Sequence, residues 1–324
     1  MSWETAGAAA ERARVEARWA AARRLVRRSI LIVPTNVPRF VAKAHERGAD
    51  AVMLDLEDSI PESEKATARQ LLAGAVESVG RGGADVLVRI NKPFPLAMAD
   101  VDATVLPGVA TIAFPKTESA REVAILDEAI GRREAQLGLP VGGIGLAVMI
   151  ETARGLAAVD EIANAADRIV SVDVGAEDFT RDLDVEPTPS GHELLFARQS
   201  VVMAARRAGI QAHGLATTLA NYTDLEGLAD SARRAREMGF RGAGCIHPAQ
   251  VAVLNAGYSL PPDRVERARR VLELFDEAVA AGRASASIDG QMIDVPVAER
   301  ARAIVERAEA IEQHEARKRA ALFR

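Results

Sequence analysis

Short apolar segments, most of them rich in Val, Ile and Leu, alternate along the chain with longer segments whose apolar residues recur every three or four positions. The short segments are typical of buried strands, and the longer ones of amphipathic helices with one face on a core. Such alternation favours parallel βα units over a β-sandwich. The eight candidate strands are Ser29 to Val33, Ala51 to Leu56, Val86 to Ile90, Thr111 to Phe114, Ile144 to Ile150, Ile169 to Val174, a weak segment near Gln211, and Ala243 to Ile246. Eight is the strand number of a (β/α)8 TIM barrel, and we predict this α/β fold.

Polar residues gather where the predicted strands end. They are Pro34-Thr35-Asn36, Asp55-Leu56-Glu57-Asp58, Arg89-Ile90-Asn91, Pro115-Lys116, Glu151, Glu177-Asp178 and His247-Pro248. In a TIM barrel the carboxyl ends of the strands form one face, where the chemistry takes place. An open doubly wound sheet would place polar residues at the same edge, so these positions alone do not decide whether the sheet closes.

The pattern divides the chain into three regions: an N-terminal helical extension at 1–28, the barrel at 29–260, and a C-terminal helical region at 261–324. After Pro261-Pro262 we expect helices and no further strand. These helices are Asp263 to Ala280 and Pro296 to Arg319, joined by a small-residue run from Ala281 to Gly290. A run of this kind suits a hinge, with the stretch that follows it as a lid, but the pattern alone favours a simple linker.

Composition narrows the class of protein. The chain has 324 residues, 48% hydrophobic content and a formal net charge of −5, so it can bury a large core and has no bulk signature of nucleic-acid binding. No apolar run is long enough to span a bilayer, and the segment from Met1 to Arg28 lacks the apolar block of a signal peptide. A single cysteine, Cys245, excludes an internal disulfide. We therefore expect a cytoplasmic protein that binds neither a membrane nor a nucleic acid.

Two acidic residues, Glu151 and Asp178, follow directly on apolar segments that are predicted to be buried strands. Two unpaired carboxylates beside a core repel each other and lose hydration, unless a cation neutralises them. Mg²⁺ suits this arrangement because it commonly takes one or two protein carboxylates and fills its other positions with water and substrate oxygens. Alternatively, Glu151 caps the helix that follows and Asp178 pairs with Arg181. Spacing alone leaves both interpretations open.

Several motifs together resemble the citrate lyase beta subunit family, part of the wider HpcH/HpaI aldolase group, and within it the free-standing malyl-CoA and citramalyl-CoA lyases. They are Arg28-Ser29-Ile30-Leu31-Ile32-Val33-Pro34, Gly48-Ala49-Asp50-Ala51-Val52-Met53-Leu54-Asp55-Leu56-Glu57-Asp58, Val88-Arg89-Ile90-Asn91, Ile150-Glu151-Thr152-Ala153-Arg154-Gly155, Gly175-Ala176-Glu177-Asp178 and Cys245-Ile246-His247-Pro248-Ala249-Gln250. The resemblance covers about nine-tenths of the chain. It implies a magnesium-dependent barrel enzyme that makes or breaks a carbon–carbon bond next to a thioester.

The resemblance assigns roles to individual residues. The metal ligands of the family fall on Glu151 and Asp178, with Mg²⁺ as the expected ion and Mn²⁺ as an alternative. The active-site arginine falls on Arg89, which could bind the thioester oxygen or the keto acid through its planar fork of donors. The residues expected to support these groups are Glu57, which would orient Arg89, Asp58, which would hold a metal-bound water, and Asp55 and Asn36 beside them.

The tail motif Gly290-Gln291-Met292-Ile293-Asp294-Val295-Pro296 resembles one that lyases of free coenzyme A thioesters carry. In those enzymes its aspartate enters the active site of a neighbouring subunit, so Asp294 is the candidate general acid/base and the linker interpretation is replaced by that of a lid. A homotrimer or a hexamer, a dimer of trimers, is then expected. Three further cations, Arg28, Lys43 and Lys116, are candidates for binding the phosphates of coenzyme A.

The implied reaction is reversible cleavage of a 3-hydroxyacyl-CoA, such as malyl-CoA, citramalyl-CoA or methylmalyl-CoA, to a 2-keto acid and acetyl-CoA or propionyl-CoA. Four alternatives remain: a malyl-CoA thioesterase, a citryl lyase subunit, a pyruvate-type aldolase and a catalytically silent barrel. One segment departs from the usual form of the family, which has an aspartate near His213, where this chain reads Gln211-Ala212-His213-Gly214. The substrate preference within the family is therefore left open.

Overall fold

Eight parallel strands lie at the centre of the computed structural model, which describes residues 6–218 and 221–322. They are β1 (Ser29–Pro34), β2 (Ala51–Asp55), β3 (Asp85–Arg89), β4 (Val109–Phe114), β5 (Gly145–Ile150), β6 (Ile169–Val174), β7 (Gln211–His213) and β8 (Ala243–Cys245). Each strand from β1 to β6 pairs with the next one along the chain, and β8 returns to pair with β1. All eight predicted strands are therefore present in the structure.

The sheet closes between its two edge strands, β7 and β8. The backbone N–H of Gly214 donates to Gly242 O at 2.9 Å, and the N–H of Arg241 donates to Ala212 O, also at 2.9 Å. These two bonds join the end of β7 to the segment that leads into β8. The sheet is thus a ring and not an open doubly wound sheet, and the predicted TIM barrel is confirmed.

Helices follow the strands and cover the outside of the ring. They are α1 (Ala6–Arg24), α2 (Pro38–Ala44), α3 (Lys65–Gly80), α4 (Phe94–Thr104), α5 (Ala120–Gln136), α6 (Ala153–Ala157), α7 (Val159–Ala163), α8 (Ala176–Asp182), α9 (Leu195–Ala208), α10 (Leu225–Met238), α11 (Pro248–Gly257), α12 (Pro262–Ala280) and α13 (Val295–Ala321), with single 3₁₀ turns at Glu62–Glu64 and His192–Leu194. Among the described residues, no helix combines the length and the apolar character needed to cross a membrane.

The strands bury residues on both faces, which explains their nearly continuous apolar runs. Successive side chains point to opposite sides, so Met53 faces the interior of the ring and Leu54 faces the helices. The interior layer is small and contains Ile30, Ala51, Met53, Leu87, Ala113 and Ala147. The larger core lies between the ring and its helices. Alanines in the interior layer leave room in the barrel above them.

The C-terminal region contains a β-hairpin that the sequence analysis did not predict. Strands β9 (Ala286–Ile288) and β10 (Gln291–Ile293) pair antiparallel around the two-residue turn Asp289-Gly290. Both turn residues have positive φ, 49° and 76°, as a tight hairpin turn requires. The prediction of helices only was wrong because three-residue strands are too short to show an alternating pattern, although the Asp-Gly pair was a signal for a turn.

The second half of α13 lies against the end of the barrel where the strands begin. Lys318 Nζ donates to Gly48 O at 2.9 Å and to Asp50 Oδ1 at 2.7 Å, and Arg317 donates to Asp85 at 2.9 Å. The first half of α13 packs antiparallel against α12. We call α12, the hairpin and this first half, residues 262–306, the arm. Because α13 is fixed to the opposite end of the barrel, the tail does not form a lid over the mouth of its own barrel.

Arg28 lies at this same end of the barrel, buried in an ion pair with Asp50. Its Nε and Nη2 donate to the Asp50 carboxylate at 2.7 and 2.9 Å, and a third bond goes to Glu315. Burial alone would raise the pKa of Asp50, but hydrogen bonds from Arg28 and His314 lower it below its usual range. The prediction that Arg28 contacts coenzyme A was therefore wrong, because the residue precedes β1 and so stands at the far end from the mouth.

Lys43 was also predicted to bind coenzyme A phosphates. It is exposed in the last turn of α2, which runs from the mouth of the barrel down to the segment that leads into β2. Its position is thus near the start of β2 and not at the mouth. The structure corrects this assignment for the same reason as it does for Arg28.

Replacing Asp50 by Ala is expected to lower the free energy of unfolding by about 3–5 kcal/mol, since Arg28 and Lys318 would lose their fully buried counter-ion and keep only the partly exposed Glu315. Chemical denaturation at pH 7 measures the change. Glu77→Ala, in an exposed pair with Arg81, is the matched control and should cost less than about 1 kcal/mol. A loss for Asp50→Ala as small as that of the control would contradict the prediction.

Candidate active site at the mouth of the barrel

A cavity of about 390 Å³ opens at the face of the barrel where the strands end. Side chains from the ends of seven of the eight strands, or from the loops that follow them, line it. The polar lining residues include Asp55, Asp58, Arg89, Glu151 and Asp178. The structure thus brings together most of the residues that the sequence analysis placed at strand ends, as the shared polarity of parallel strands requires.

Arg89 is held by Asp55, its register partner on the neighbouring strand. Its Nε and Nη2 donate to the two oxygens of Asp55 at 2.7 Å each, and Asp55 is fully buried. Burial raises the pKa of Asp55, but the hydrogen bonds and charge of Arg89 outweigh it, so the net shift is downward. Glu57, predicted to orient Arg89, lies 3.1 Å from Nη1, and its Oε2 accepts no hydrogen bond there. Asp55 is therefore the residue that fixes the arginine.

Glu151 follows the last residue of β5 and is 2% exposed. Its Oε2 accepts a hydrogen bond from the backbone N–H of Lys116 at 2.7 Å. A Cβ built on Gly175 would lie 2.1 Å from Oε1, so only glycine at that position leaves room for the carboxylate. Burial raises the pKa of Glu151 to about 7, the charges of Asp178 and Glu57 add to the rise, and Lys116 opposes it.

Lys116 lies inside the group of carboxylates. Its Nζ is 2.7 Å from Glu57, 3.3 Å from Asp58 and 3.4 Å from Asp178. Its φ of 46° is in the left-handed region, which a non-glycine residue adopts at a cost, and this conformation directs its N–H to Glu151. Burial lowers the pKa of Lys116, but the hydrogen bond to Glu57 outweighs it and the net shift is upward. This position differs from the predicted contact with coenzyme A phosphates.

Negative charge exceeds positive charge among the side chains gathered at this site. Five carboxylates, those of Asp55, Glu57, Asp58, Glu151 and Asp178, face the two cations Arg89 and Lys116. Asp178 also forms an ion pair with the exposed Arg181 at 2.5 Å, which is the alternative role that the sequence analysis gave it. Asp178 nevertheless lines the cavity. Hard carboxylate oxygens in excess suit Mg²⁺ or Mn²⁺. Within 6–218 and 221–322, no three His, Cys, Asp or Glu residues are arranged to hold a metal ion by themselves, so water or substrate oxygens would complete the coordination of a bound metal.

Two predicted site residues lie elsewhere. Asn36 follows β1 at the rim, where its amide nitrogen donates to Glu64, and it does not line the cavity. Asp294 caps α13, and its Oδ1 accepts from the N–H of Val297 at 3.2 Å. It belongs to the arm and not to the mouth of its own barrel.

The sequence analysis did not assign Asp173 and His213, which both line the cavity. They lie on β6 and β7, deeper in the barrel than the strand ends. A signal was present, because Asp173 is a charged residue between Val172 and Val174 in an otherwise apolar strand. Gly175, which makes room for Glu151, gave no sequence signal of its own.

Comparison with known proteins agrees with this architecture. A model of the family described as HpcH/HpaI aldolase/citrate lyase matches residues 28–248. The citrate lyase subunit beta of Leuconostoc mesenteroides subsp. cremoris is 36% identical over 286 residues, covering 88% of this chain and 94% of that protein. The (3S)-malyl-CoA thioesterase of Cereibacter sphaeroides is 33% identical over 288 residues, covering 88% of this chain and 95% of that protein. The crystal structure of CitE from Mycobacterium tuberculosis in complex with magnesium, acetoacetate and coenzyme A has 30% identity and a TM-score of 0.68, covering 88% of this chain and 99% of that one.

Without metal, the stability of the protein should fall as the pH rises from 5 to 8. The pKa of Glu151 is about 7 in the folded state and near its ordinary value of 4.5 in the unfolded chain, so the native state binds the proton more tightly. Its stabilising effect is complete below the lower value and is lost as the pH rises through the upper one, a change of about 2–3 kcal/mol.

The measurement is the free energy of unfolding at pH 5 and pH 8 in the presence of a chelator. Glu151→Gln, which cannot lose a proton, should remove most of this difference, whereas Glu128→Gln at an exposed position should leave it. An equal pH dependence in the wild type and Glu151→Gln would disprove the assignment.

Proposed function

The chain belongs to the HpcH/HpaI aldolase/citrate lyase family, and we propose that it reversibly cleaves the carbon–carbon bond of a 3-hydroxyacyl-CoA whose hydroxyl carbon also carries a carboxylate. Malyl-CoA, citramalyl-CoA and methylmalyl-CoA are the candidate substrates, and a 2-keto acid and acetyl-CoA or propionyl-CoA the products. The observation that carries the proposal is the fixed Arg89 beside a group of carboxylates with excess negative charge, at the mouth of a TIM barrel. The coenzyme A bound to the related CitE structure supports a thioester substrate.

Glu151 and Asp178 are the residues that would hold the metal, since both line the cavity and supply hard oxygen donors. A bound Mg²⁺ supplies Lewis acidity, which polarises the carboxylate and hydroxyl oxygens of the substrate. Gly175 keeps Glu151 in place because any side chain there would displace the carboxylate. The N–H of Lys116 orients the same carboxylate through its other oxygen.

Arg89 would stabilise the negative charge that develops on the thioester oxygen when the bond breaks. Asp55 occupies its Nε and Nη2, and Nη1, which lies 3.1 Å from Glu57 without a hydrogen bond to it, is the nitrogen that would donate to the substrate. The bidentate contact fixes the guanidinium before the substrate binds, which reduces reorganisation during the reaction. One such preorganised contact is worth about 3–4 kcal/mol, or a factor of 10² to 10³ in rate.

Asp294 would protonate the enolate carbon after cleavage, or remove that proton in the condensation direction. Within one chain it lies in the arm, which joins the barrel through the segment that follows α11 and through the second half of α13 at the opposite end. We therefore assign it to the active site of a neighbouring subunit in a homotrimer or hexamer. The exposed side chains of Met292 and Val295 beside it, 65% and 53% accessible, would be covered by that neighbour.

A thioesterase is the second candidate, favoured by the similarity to the malyl-CoA thioesterase of Cereibacter sphaeroides. The same site would then deliver water to the thioester carbonyl. The products separate the two reactions, because a lyase releases a keto acid while a thioesterase releases a free thiol. A citryl thioester remains a further substrate, given the similarity to citrate lyase beta subunits.

With Mg²⁺ and one of the three CoA thioesters, the purified protein should release keto acid without free thiol. Both products are followed in the same sample, so that either reaction is seen. Arg89→Lys should lower kcat/KM by about 10²–10³, because lysine cannot reproduce the bidentate contact with Asp55. Arg181→Lys, which alters an exposed partner of Asp178, is the matched control and should have a much smaller effect.

Thiol release without keto acid would establish the thioesterase instead. Release of neither product from these thioesters and from citryl-CoA would refute the proposed reaction. Activity without added coenzyme A ester, on a free hydroxy acid, would identify a pyruvate-type aldolase.

Co-expression of Glu151→Gln with Asp294→Asn should restore activity that each variant lacks alone. A hybrid assembly combines an intact barrel from one chain with an intact arm from the other, and random mixing would complete about one site in four. Purification through a different tag on each chain isolates the hybrid for assay. No recovery in a hybrid of confirmed composition would show that Asp294 does not act across subunits.

A further inference from the structure

Asp173 and His213 form a polar pair at the floor of the cavity. They are register partners on β6 and β7, and they are 8% and 2% exposed. His213 Nδ1 and Asp173 Oδ1 lie 3.3 Å apart. Asp173 is also the register partner of Met149, which is two residues before Glu151 on β5. The pair therefore lies about 7 Å, one pleat, deeper in the barrel than Glu151.

The hydrogen-bonding roles of His213 are fixed by Gln211. The amide nitrogen of Gln211 donates to the backbone oxygens of Leu25, at 2.8 Å, and Ala22, so its oxygen must face His213. That oxygen is 2.9 Å from His213 Nε2, which therefore carries a hydrogen. Nδ1 then faces the carboxylate of Asp173, and a lone pair there would be repelled. An N–H at Nδ1 would instead be directed at Asp173 Oδ1.

This arrangement leaves His213 with no donor for a ligand. Asp173, in contrast, lines the cavity, and a carboxylate that receives one N–H keeps further acceptor capacity. Among the described residues, Asp173 Oδ1 and His213 Nδ1 have only each other, at 3.3 Å, so the remaining acceptor capacity of Asp173 is what a ligand can use. The polar part of the floor therefore offers a hydrogen-bond acceptor, and a ligand group that donates a hydrogen bond would fit there.

The rest of the floor is apolar. Ile30, Met53 and Ala243 line the cavity around the pair. A buried polar group without a partner costs free energy, so an alkyl group placed against Asp173 would be bound poorly. A carboxylate at that position would be repelled by Asp173. A hydroxyl group satisfies the acceptor without adding charge.

We infer that Asp173 and His213 form a subsite for a hydroxyl group on the keto-acid fragment of the substrate. The inference rests on the proposed lyase function for the orientation of the substrate. Coenzyme A is too large for a cavity of about 390 Å³, so we place the thioester outward and the substituent of the hydroxyl carbon toward the floor. The class of ligand is a 2-keto acid with a hydroxyl group on the carbon next to the keto group.

Calorimetric titration in the presence of Mg²⁺ tests the subsite without requiring turnover. The probes are 3-hydroxypyruvate and 2-oxobutyrate, which have the same number of heavy atoms and differ in an OH in place of a CH₃. The wild type should bind 3-hydroxypyruvate about tenfold or more tightly than 2-oxobutyrate, because the hydroxyl donates to a charged group. It should also bind oxaloacetate more weakly than 3-hydroxypyruvate.

The double variant Asp173→Ala/His213→Phe should bring the two affinities to within about twofold of each other. Asp173→Asn keeps the shape of the side chain and should lower the preference severalfold, which guards against a folding defect in the double variant. Met149→Leu, at the register partner on β5, is the matched control and should keep the preference of the wild type.

Equal affinities in the wild type, no binding of 3-hydroxypyruvate, or an unchanged preference in a folded double variant would each overturn the subsite. Condensation of each keto acid with acetyl-CoA is assayed separately. A binding preference without carbon–carbon bond formation would refute the lyase and retain the subsite. Turnover of both keto acids with equal affinity would retain the lyase and refute the subsite.

Discussion

The mouth of the barrel is organised around buried negative charge. Carboxylates held at the ends of strands β2, β5 and β6 and in the loops that follow are too close together to be ionised without compensating cations. The surrounding residues reduce this repulsion in three ways. Asp55 is neutralised by Arg89, Lys116 adopts a left-handed backbone and places its ammonium among three other acids, and Glu151 keeps a raised pKa. This imbalance of charge is what the proposed divalent cation would neutralise.

The two ends of the barrel use charge differently. At the end where the strands begin, Asp50 is fully matched by Arg28, Lys318 and His314, and these contacts hold α13 in place. At the mouth, acids outnumber bases. Stability and chemistry are thus assigned to opposite ends of the same strands, as the geometry of a TIM barrel permits. The anchored helix also fixes the direction in which the arm leaves the barrel.

Most of the fold could be predicted from the sequence because parallel strands buried on both faces give apolar runs that stand out against amphipathic helices. The grouping of Arg89, Glu151 and Asp178 followed from their places at strand ends. Other features depend on partners distant in sequence. The role of Asp55 in holding Arg89 depends on the register of β2 and β3. The position of the Lys116 ammonium depends on a left-handed backbone conformation, which cannot be predicted from a lysine in the sequence. Arg28 was predicted to lie at the coenzyme A site, although its position just before β1 already placed it at the end of the barrel where the strands begin.

The contact between Gly175 and Glu151 offers a criterion for sorting related sequences. A Cβ at position 175 would lie 2.1 Å from the carboxylate oxygen, closer than any two such atoms can approach. A homologue with a larger residue there must have moved or abandoned this glutamate, even if the glutamate itself is retained in its sequence. The glycine is therefore a second marker, beside the acid, of barrels that keep this carboxylate in the same position, and it can be read from an alignment alone.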